Sequence, residues 1–523
     1  PLRKAHAHDH IDTAPDPILL EVFNNVFMSI AEQMGVNLEN TSYSVNIKER
    51  LDFSCAIFDS DGELVAHAHH MPVHLGSMGD SVFATIEKYR GGMRPGDAYV
   101  TNNPYNGGTH LPDITVITPV FIGNVNEPTF YAASRGHHAD VGGTTPGSMP
   151  ALSTSIEQEG VLIDCIKLVE DTKFLEKDIT DILTGGKYPA RNPGQNVADM
   201  KAQLAANETG VRELRKLVEE YGLDVVNAYM LHIQKNAESA VRKALKKLQS
   251  GKFEYRMDDG SVIRVSVTID KKQEKAVVDF SGTSKQTGNN LNAPRSVCKA
   301  AVLYVFRSLI ADNIPLNAGC LKPLEIITEA GSLLSPYFPA AVAGGNVETS
   351  QGIVNALYGA LGIMAASQGT MNNFSFGSKE FQYYETLAGG TGAGKTFDGC
   401  SAVQTHMTNS RLTDPEVLEF RYPVILEDFS IRRGSGGAGR HKGGDGVIRK
   451  IRFLEKVTAS VLSSSRIYPP FGLEGGEPGK TGKNYVEKAG STRIELKPMD
   501  TTELDAGDIF CIETPGAGGY GKP

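Results

Sequence analysis

The sequence lacks any apolar run near the roughly 18–20 residues that a helix needs to cross a bilayer. Its opening stretch, Pro1 to Pro15, has no apolar signal core. Basic charge is in deficit: 52 Lys and Arg against 61 Asp and Glu give a formal charge of −9, so there is no electrostatic footprint for nucleic acid. Paired cysteines are missing too. Cys55, Cys165, Cys298, Cys320, Cys400 and Cys511 form no CxxC, and most sit in apolar runs such as 53–58. They read as reduced core thiols of a reducing compartment, which argues against a disulfide scaffold and predicts a cytoplasmic protein with no membrane partner.

What is present is a globular balance. Apolar residues make up 40% of the 523, ample for a core shared by two to four packed units. No internal repeat and no low-complexity linker separates those units, so they are expected to pack as one body. Residues 1–15, with His6, His8 and His10 and no apolar pattern, read as a flexible tail. Asp16 and Pro17 then signal an N-cap and first turn, with Ile18, Val22, Val26, Ile30 and Met34 at helical spacing and Gly35 as the stop. Short strands follow at 53–58 and 63–66 around an Asp-Ser-Asp-Gly turn, then at 98–101, 114–121 and 129–133.

From about Asp199 to Leu248 the pattern is helical, broken at Gly222. Alternation over 252–280 predicts a strand pair, and 297–309 and 352–364 predict buried helices. The expected fold class is α+β: a mixed, β-rich body with several helices, in several subdomains packed as one unit. Its divisions are placed at 16–195 (an α/β region), 196–250 (helical), 251–415 (mixed α/β) and 416–523 (β-rich).

The segment richest in chemistry is Gly107-Gly108-Thr109-His110-Leu111-Pro112-Asp113. Pro112 blocks a regular helix, so His110 and Asp113 should project from a loop fixed by the strand after it. A second segment, Ser134-Arg135-Gly136-His137-His138-Ala139-Asp140, follows another strand. If those strands are neighbours, both segments open on one side of the sheet. Two imidazoles with two carboxylates suit Zn²⁺, Mn²⁺ or Fe²⁺ better than Ca²⁺ or Mg²⁺. From spacing alone, ordinary loop polar residues bonded to backbone remain the commoner reading. Near Ala66-His67-Ala68-His69-His70-Met71-Pro72-Val73-His74, His67 and His69 are read as sharing an exposed strand face, and His70 and His74 as pocket wall.

The run Gly389-Gly390-Thr391-Gly392-Ala393-Gly394-Lys395-Thr396 fits the phosphate-loop pattern residue for residue. A working loop also needs a helix after it, and Phe397-Asp398-Gly399-Cys400-Ser401 has no helical apolar period, so no nucleotide site is assigned to this chain. The glycine-rich runs 433–439 and 514–521 read as tight turns between strands.

Co-linear segments along residues 16–523 resemble the hydantoinase B family, most closely its ATP-dependent 5-oxoprolinase branch. They include Asn46 through Cys55, the Gly-Thr-His-Leu-Pro-Asp segment, Ser134 through His138, Pro146 through Pro150, Asn290 through Arg295, Gly344 through Val347, Tyr383 through Thr386 and His406 through Asn409. The resemblance implies a metal held by Asp52, His110, Asp113 and His137, the last preferred over His138. His138 and Asp140 would manage protons, with His70, His74, Asn346 and Glu385 as substrate-binding candidates. It also implies a kinase-like A-type partner that binds ATP-Mg and activates a cyclic amide, in an assembly of two A and two B subunits. Alternatives are an N-methylhydantoinase or lactamase B subunit, the metal subunit of an acetone-type carboxylase, and a scaffold without activity.

Overall fold

Asp16 accepts hydrogen bonds from the Ile18 and Leu19 N–H groups and Pro17 fills the first turn, so helix α1 (Pro17–Thr41) begins where the sequence predicts. It does not stop at Gly35. A Cβ there would come within 2.7 Å of His70 Nε2, so this glycine serves the approach of His70 and leaves the helix intact. The apolar stripe is also rotated from expectation: Phe23, Phe27, Ile30, Met34 and Leu38 are buried, while Ile18 is 75% exposed. The computed structural model describes residues 12–68, 70–310, 314, 316–490 and 492–523. His6, His8, His10 and His69 lie outside them.

After the short α2 (Val45–Lys48), seven strands form the first sheet: β1 (Phe53–Phe58), β2 (Leu64–His67), β3 (Ala98–Thr101), β4 (Asp113–Val120), β5 (Phe130–His137), β6 (Ile166–Glu170) and β7 (Lys173–Phe174), in the order β2-β1-β5-β4-β3-β6-β7. β1, β4 and β5 are buried along their whole lengths, as befits strands covered on both faces. Helix α3 (Pro72–Tyr89), for which the sequence reading gave no element, covers one face; a shared apolar core joins α1 to the other. After the short α4 (Glu176–Thr184), α5 (Pro193–Tyr221) and α6 (Leu223–Leu245), parted at Gly222 as predicted, lie on the α1 side.

The predicted strand pair is three strands, β8 (Gly251–Arg256), β9 (Val262–Asp270) and β10 (Lys275–Asp279), extended by a parallel β11 (Leu324–Ile327) into a second sheet. The two buried helices appear as α7 (Arg295–Ser308) and α8 (Ser350–Leu361), the latter entered through a π-helical turn, Gly345–Thr349.

The last third, apart from α9 (Pro415–Arg421), is strands: β12 (Asn373–Gly377), β13 (Gln382–Thr386), β14 (Val424–Arg432), β15 (Gly446–Phe453), β16 (Val457–Leu462), β17 (Lys483–Glu487), β18 (Arg493–Leu496), β19 (Met499–Leu504) and β20 (Ile509–Glu513). They build two sheets, β13-β12-β16-β19 and β14-β15-β20-β17-β18. The chain is thus an α+β fold of helices and several sheets packed as one unit. No helix among the described residues is long and apolar enough to cross a membrane. All six cysteines are free thiols; five are buried as expected, but Cys400 is exposed.

The phosphate-loop pattern carries no helix after it, and five of its eight backbone amides are spent. Gly389, Thr391, Gly392, Ala393 and Gly394 donate to Val403 O, Cys400 O, Ser367 Oγ, Gly518 O and Phe397 O. A phosphate cradle needs such amides free. The glycine-rich runs are more than turns here: they interlock backbone on backbone, with a Cβ at Gly390 only 2.0 Å from Gly444 O.

Candidate metal centre

The strand register builds the site. β4 and β5 are antiparallel neighbours, so the segment entering β4 and the segment leaving β5 meet at one end, with Asp113 and His137 directly opposite each other. β1 pairs with the far side of β5, and the His137 N–H donates to Asp52 O at 2.9 Å. Asp52, His137 and Asp113 therefore lie in one row across three strands.

Period two in the strand separates the adjacent histidines. His137 turns to the α3 face. His138 turns to the α5 face, where Gln203 Oε1 and Asn196 Nδ2 each lie 3.1 Å from a ring nitrogen. Burial pushes both imidazoles below their ordinary pKa, so both are held neutral. The sequence placed 134–140 in a loop; β5 in fact continues to His137, and that decides which ring faces the site.

On the α3 face three imidazoles surround one carboxylate oxygen. Asp113 Oδ1 lies 3.0 Å from His110 Nε2, 3.2 Å from His74 Nε2 and 3.3 Å from His137 Nδ1. Donor atoms of His110, Asp113 and His137 all fall within 4.8 Å of one another, and all three residues are buried. Burial works against ionising Asp113, but the facing His110 and His74 rings hold its carboxyl well below the usual carboxylate range. Its other oxygen, Oδ2, accepts from Thr109 Oγ1 at 2.5 Å.

One layer deeper, Arg135 is fully buried and, among the described residues, donates only to hydroxyls: Thr115 Oγ1, Ser77 Oγ and Ser81 Oγ at 2.6–2.8 Å. Burial lowers its pKa to about 10, and the Asp113 charge opposes that shift. It is a fixed positive charge behind the cluster.

The distances around Asp113 are short, yet the groups do not satisfy one another. Asp113 Oδ1, both His110 nitrogens and His137 Nε2 are buried with no hydrogen-bond partner among the described residues. Each such orphan costs on the order of 1–3 kcal/mol. The set fits a divalent transition metal, which would take one donor atom from each of His110, Asp113 and His137.

The remaining candidates fall elsewhere. Asp52 is near enough for its charge to act on His137, but its carboxylate faces Arg50, Oδ2 to Nη1 at 3.7 Å, and it is not among the clustered donors. Asp140 is not in the cluster either. It pairs with Arg191 at 2.8 Å and accepts from the Gly142, Gly147 and Arg191 N–H groups, which makes it a loop organiser. His138 is likewise tied to α5.

His70 accepts from the Cys55 N–H and lines a cavity of about 460 Å³ with Leu51, Phe53, Asn409 and Arg411, on the α1 side; Asp52 is not in its wall. His67 is buried at the end of β2, not on an exposed face. Asn346 sits on the π-helical turn with its Oδ1 buried and unpartnered. Glu385 is locked to Arg449 by two contacts of 2.7 and 2.8 Å and receives the Tyr383 hydroxyl.

Sequence reasoning named His74 only as pocket wall, because the helix that aims it at Asp113 went unseen; Pro72 in a first turn was the available signal. It missed Tyr384, whose ring stacks on His137, and Arg50. It also missed two buried acids. Glu159 accepts from the Val342 and Ala343 N–H groups, and burial pushes it up to about 7. Glu348 is pushed up by burial to about 8 from an ordinary 4.5.

A folded-state pKa above the unfolded one means the proton is held more tightly in the folded chain. The stability this gives is complete below 4.5 and is lost as pH rises through about 8. Glu348→Gln should therefore flatten the fall in melting temperature across that interval, leaving the smaller slope due to Glu159. An unchanged slope would refute the protonation assigned to Glu348.

With the geometry in place, comparison with known proteins gives the class. The family model for hydantoinase B/oxoprolinase matches residues 16–523. The chain belongs to the hydantoinase B/oxoprolinase family.

Among its relatives is 5-oxoprolinase 1 of Arabidopsis thaliana, 48% identical over 98% of this chain and 42% of its own. The chain thus spans less than half the length of the curated 5-oxoprolinases that it matches. An ATP-dependent caprolactamase from Pseudomonas jessenii shares the fold at a TM-score of 0.87 and 23% identity, covering 98% of this chain and 92% of that one. An acetone carboxylase shares it at 0.86 and 17%, covering 97% and 76%.

Proposed function

We propose that this chain is the metal-bearing part of an ATP-dependent cyclic-amide hydrolase, and that 5-oxoproline, opened to glutamate, is its substrate. The observation that carries the reading is the bare donor set around Asp113. Family membership and the 48% identity to a 5-oxoprolinase support the choice of substrate over the hydantoins and larger lactams.

A lactam resists attack because nitrogen donates into its carbonyl. Phosphorylation of the amide oxygen by ATP on a kinase-like A-type partner turns that oxygen into a leaving group. The glycine-rich loop of this chain has no helix after it and most of its amides are bonded within the fold, which agrees with placing ATP-Mg on the partner. An assembly of two A and two B subunits is part of the same proposal.

His110, Asp113 and His137 would hold a Zn²⁺, Mn²⁺ or Fe²⁺ ion, whose Lewis acidity polarises carbonyl oxygen and eases the ionisation of water. The chain's own residues do the rest. Thr109 fixes the Asp113 carboxylate through Oδ2 and leaves Oδ1 for the site. His74, whose Nδ1 lies 3.3 Å from Ser54 Oγ, brings its Nε2 to 3.2 Å from that oxygen on the α3 side.

Asp52 has a side chain 10% exposed, whereas those of His110, Asp113 and His137 are at most 3%. It is the member of the row placed to meet an incoming amide, as a further ligand or as the proton acceptor. His138 and Asp140 act through the frame and do not touch substrate.

The test is to combine the purified chain with its A-type partner, ATP and 5-oxoproline. ATP-dependent release of glutamate is expected, at a rate indifferent to bicarbonate. ATP consumption that requires bicarbonate and yields no glutamate would favour the carboxylase reading instead.

A further inference from the structure

A metal-binding imidazole generally has its ring plane fixed by a partner on its second nitrogen. His137 has none among the described residues: its Nε2 is buried without a hydrogen-bond partner there, and its Nδ1 faces Asp113. What lies against the ring instead is Tyr384, from β13 of another sheet. The two rings are nearly parallel, 8° apart in plane with centroids at 4.7 Å. Offset stacking at this spacing is the favourable geometry for two flat π systems.

Tyr384 is itself held at several points. Its hydroxyl donates to Asn373 Oδ1 at 2.7 Å, and Asn373 Nδ2 donates to Glu348 Oε1 and to Leu462 O, both at 2.7 Å. The buried guanidinium of Arg50 lies over the same tyrosine ring at 4.8 Å, and Arg50 is also the partner of Asp52. One aromatic side chain therefore touches both the His137 ring and the cation that faces Asp52. It carries the rigidity of β12 and β13 to a row built on β1, β5 and β4.

We propose that Tyr384 is a positioning residue: its face fixes the plane of His137, and so the direction in which that imidazole presents its lone pair to the metal. The inference rests on the metal reading above, and its test separates the two.

Co²⁺ would be titrated into the full chain, reading both the dissociation constant and the visible absorption bands that report ligand geometry. Tyr384→Phe keeps the flat face and should bind as the unaltered chain does. Tyr384→Met fills the volume without offering a flat face. It should weaken binding by roughly 10- to 100-fold, the usual cost of losing such a support, and shift the bands.

A side chain that served stability alone would lower the melting temperature of Tyr384→Met and leave affinity and spectrum unmoved, which would overturn the proposal. Should Tyr384→Met fail to fold, Tyr384→Leu removes the flat face with a shorter side chain. Weaker Co²⁺ binding with altered bands is then expected, and unchanged binding again overturns it. An unaltered chain that binds no Co²⁺ would count against the metal reading itself.

Discussion

Asp113→Asn is expected to abolish ring opening and strip the chain of its metal while leaving it folded. Three imidazoles converge on one oxygen of this side chain, and asparagine keeps the shape while removing the charge. Loss of a Lewis acid worth several kcal/mol corresponds to a fall in turnover of about 10³-fold or more. His110→Ala should behave alike on metal and turnover, with some added loss of stability from the cavity it opens. The readouts are glutamate release by the reconstituted pair and metal content of each variant. Turnover within a few-fold of the unaltered chain in the absence of metal would defeat the mechanism.

Glu385→Ala is expected to act on stability and hardly at all on metal binding. The Glu385–Arg449 pair is bidentate, almost fully buried, and joins β13 to β15 of the adjacent sheet. Removing the carboxylate leaves a buried guanidinium without a counter-charge, a loss of about 3–5 kcal/mol. Urea unfolding would read it. A raised KM for the lactam with unfolding unchanged would restore the substrate-binding role that the sequence suggested.

The contrast between these two residues shows what sequence could reveal. His110, Asp113 and His137 were recognisable because their motif segments flank strands, and strand pairing then forces them together. The choice of His137 over His138 came from family resemblance; the alternation along β5 puts the His137 ring, and not that of His138, beside His110 and Asp113. Glu385 and Tyr384 are adjacent in a motif, and the carboxylate looked the more chemical of the two. Which of them faces the cluster depends on the β12–β13 register, which no local pattern discloses.

Helix α3 was hidden for a related reason. Its first turn carries Pro72 and His74 after a histidine-dense stretch, and the density drew attention from the helical spacing of Leu75, Met78 and Val82. The broad sequence of elements was legible because periodicity is local. The unpartnered atoms, the buried Arg135 and the raised acids were not, because burial is a property of the assembled fold.

The most direct test of the central claim is elemental analysis of the purified full chain beside Asp113→Asn. The account predicts about one divalent transition metal per unaltered chain, bound in a pH-dependent way, and close to none in the variant. An unaltered chain that is folded, active with its partner and free of transition metal would contradict it.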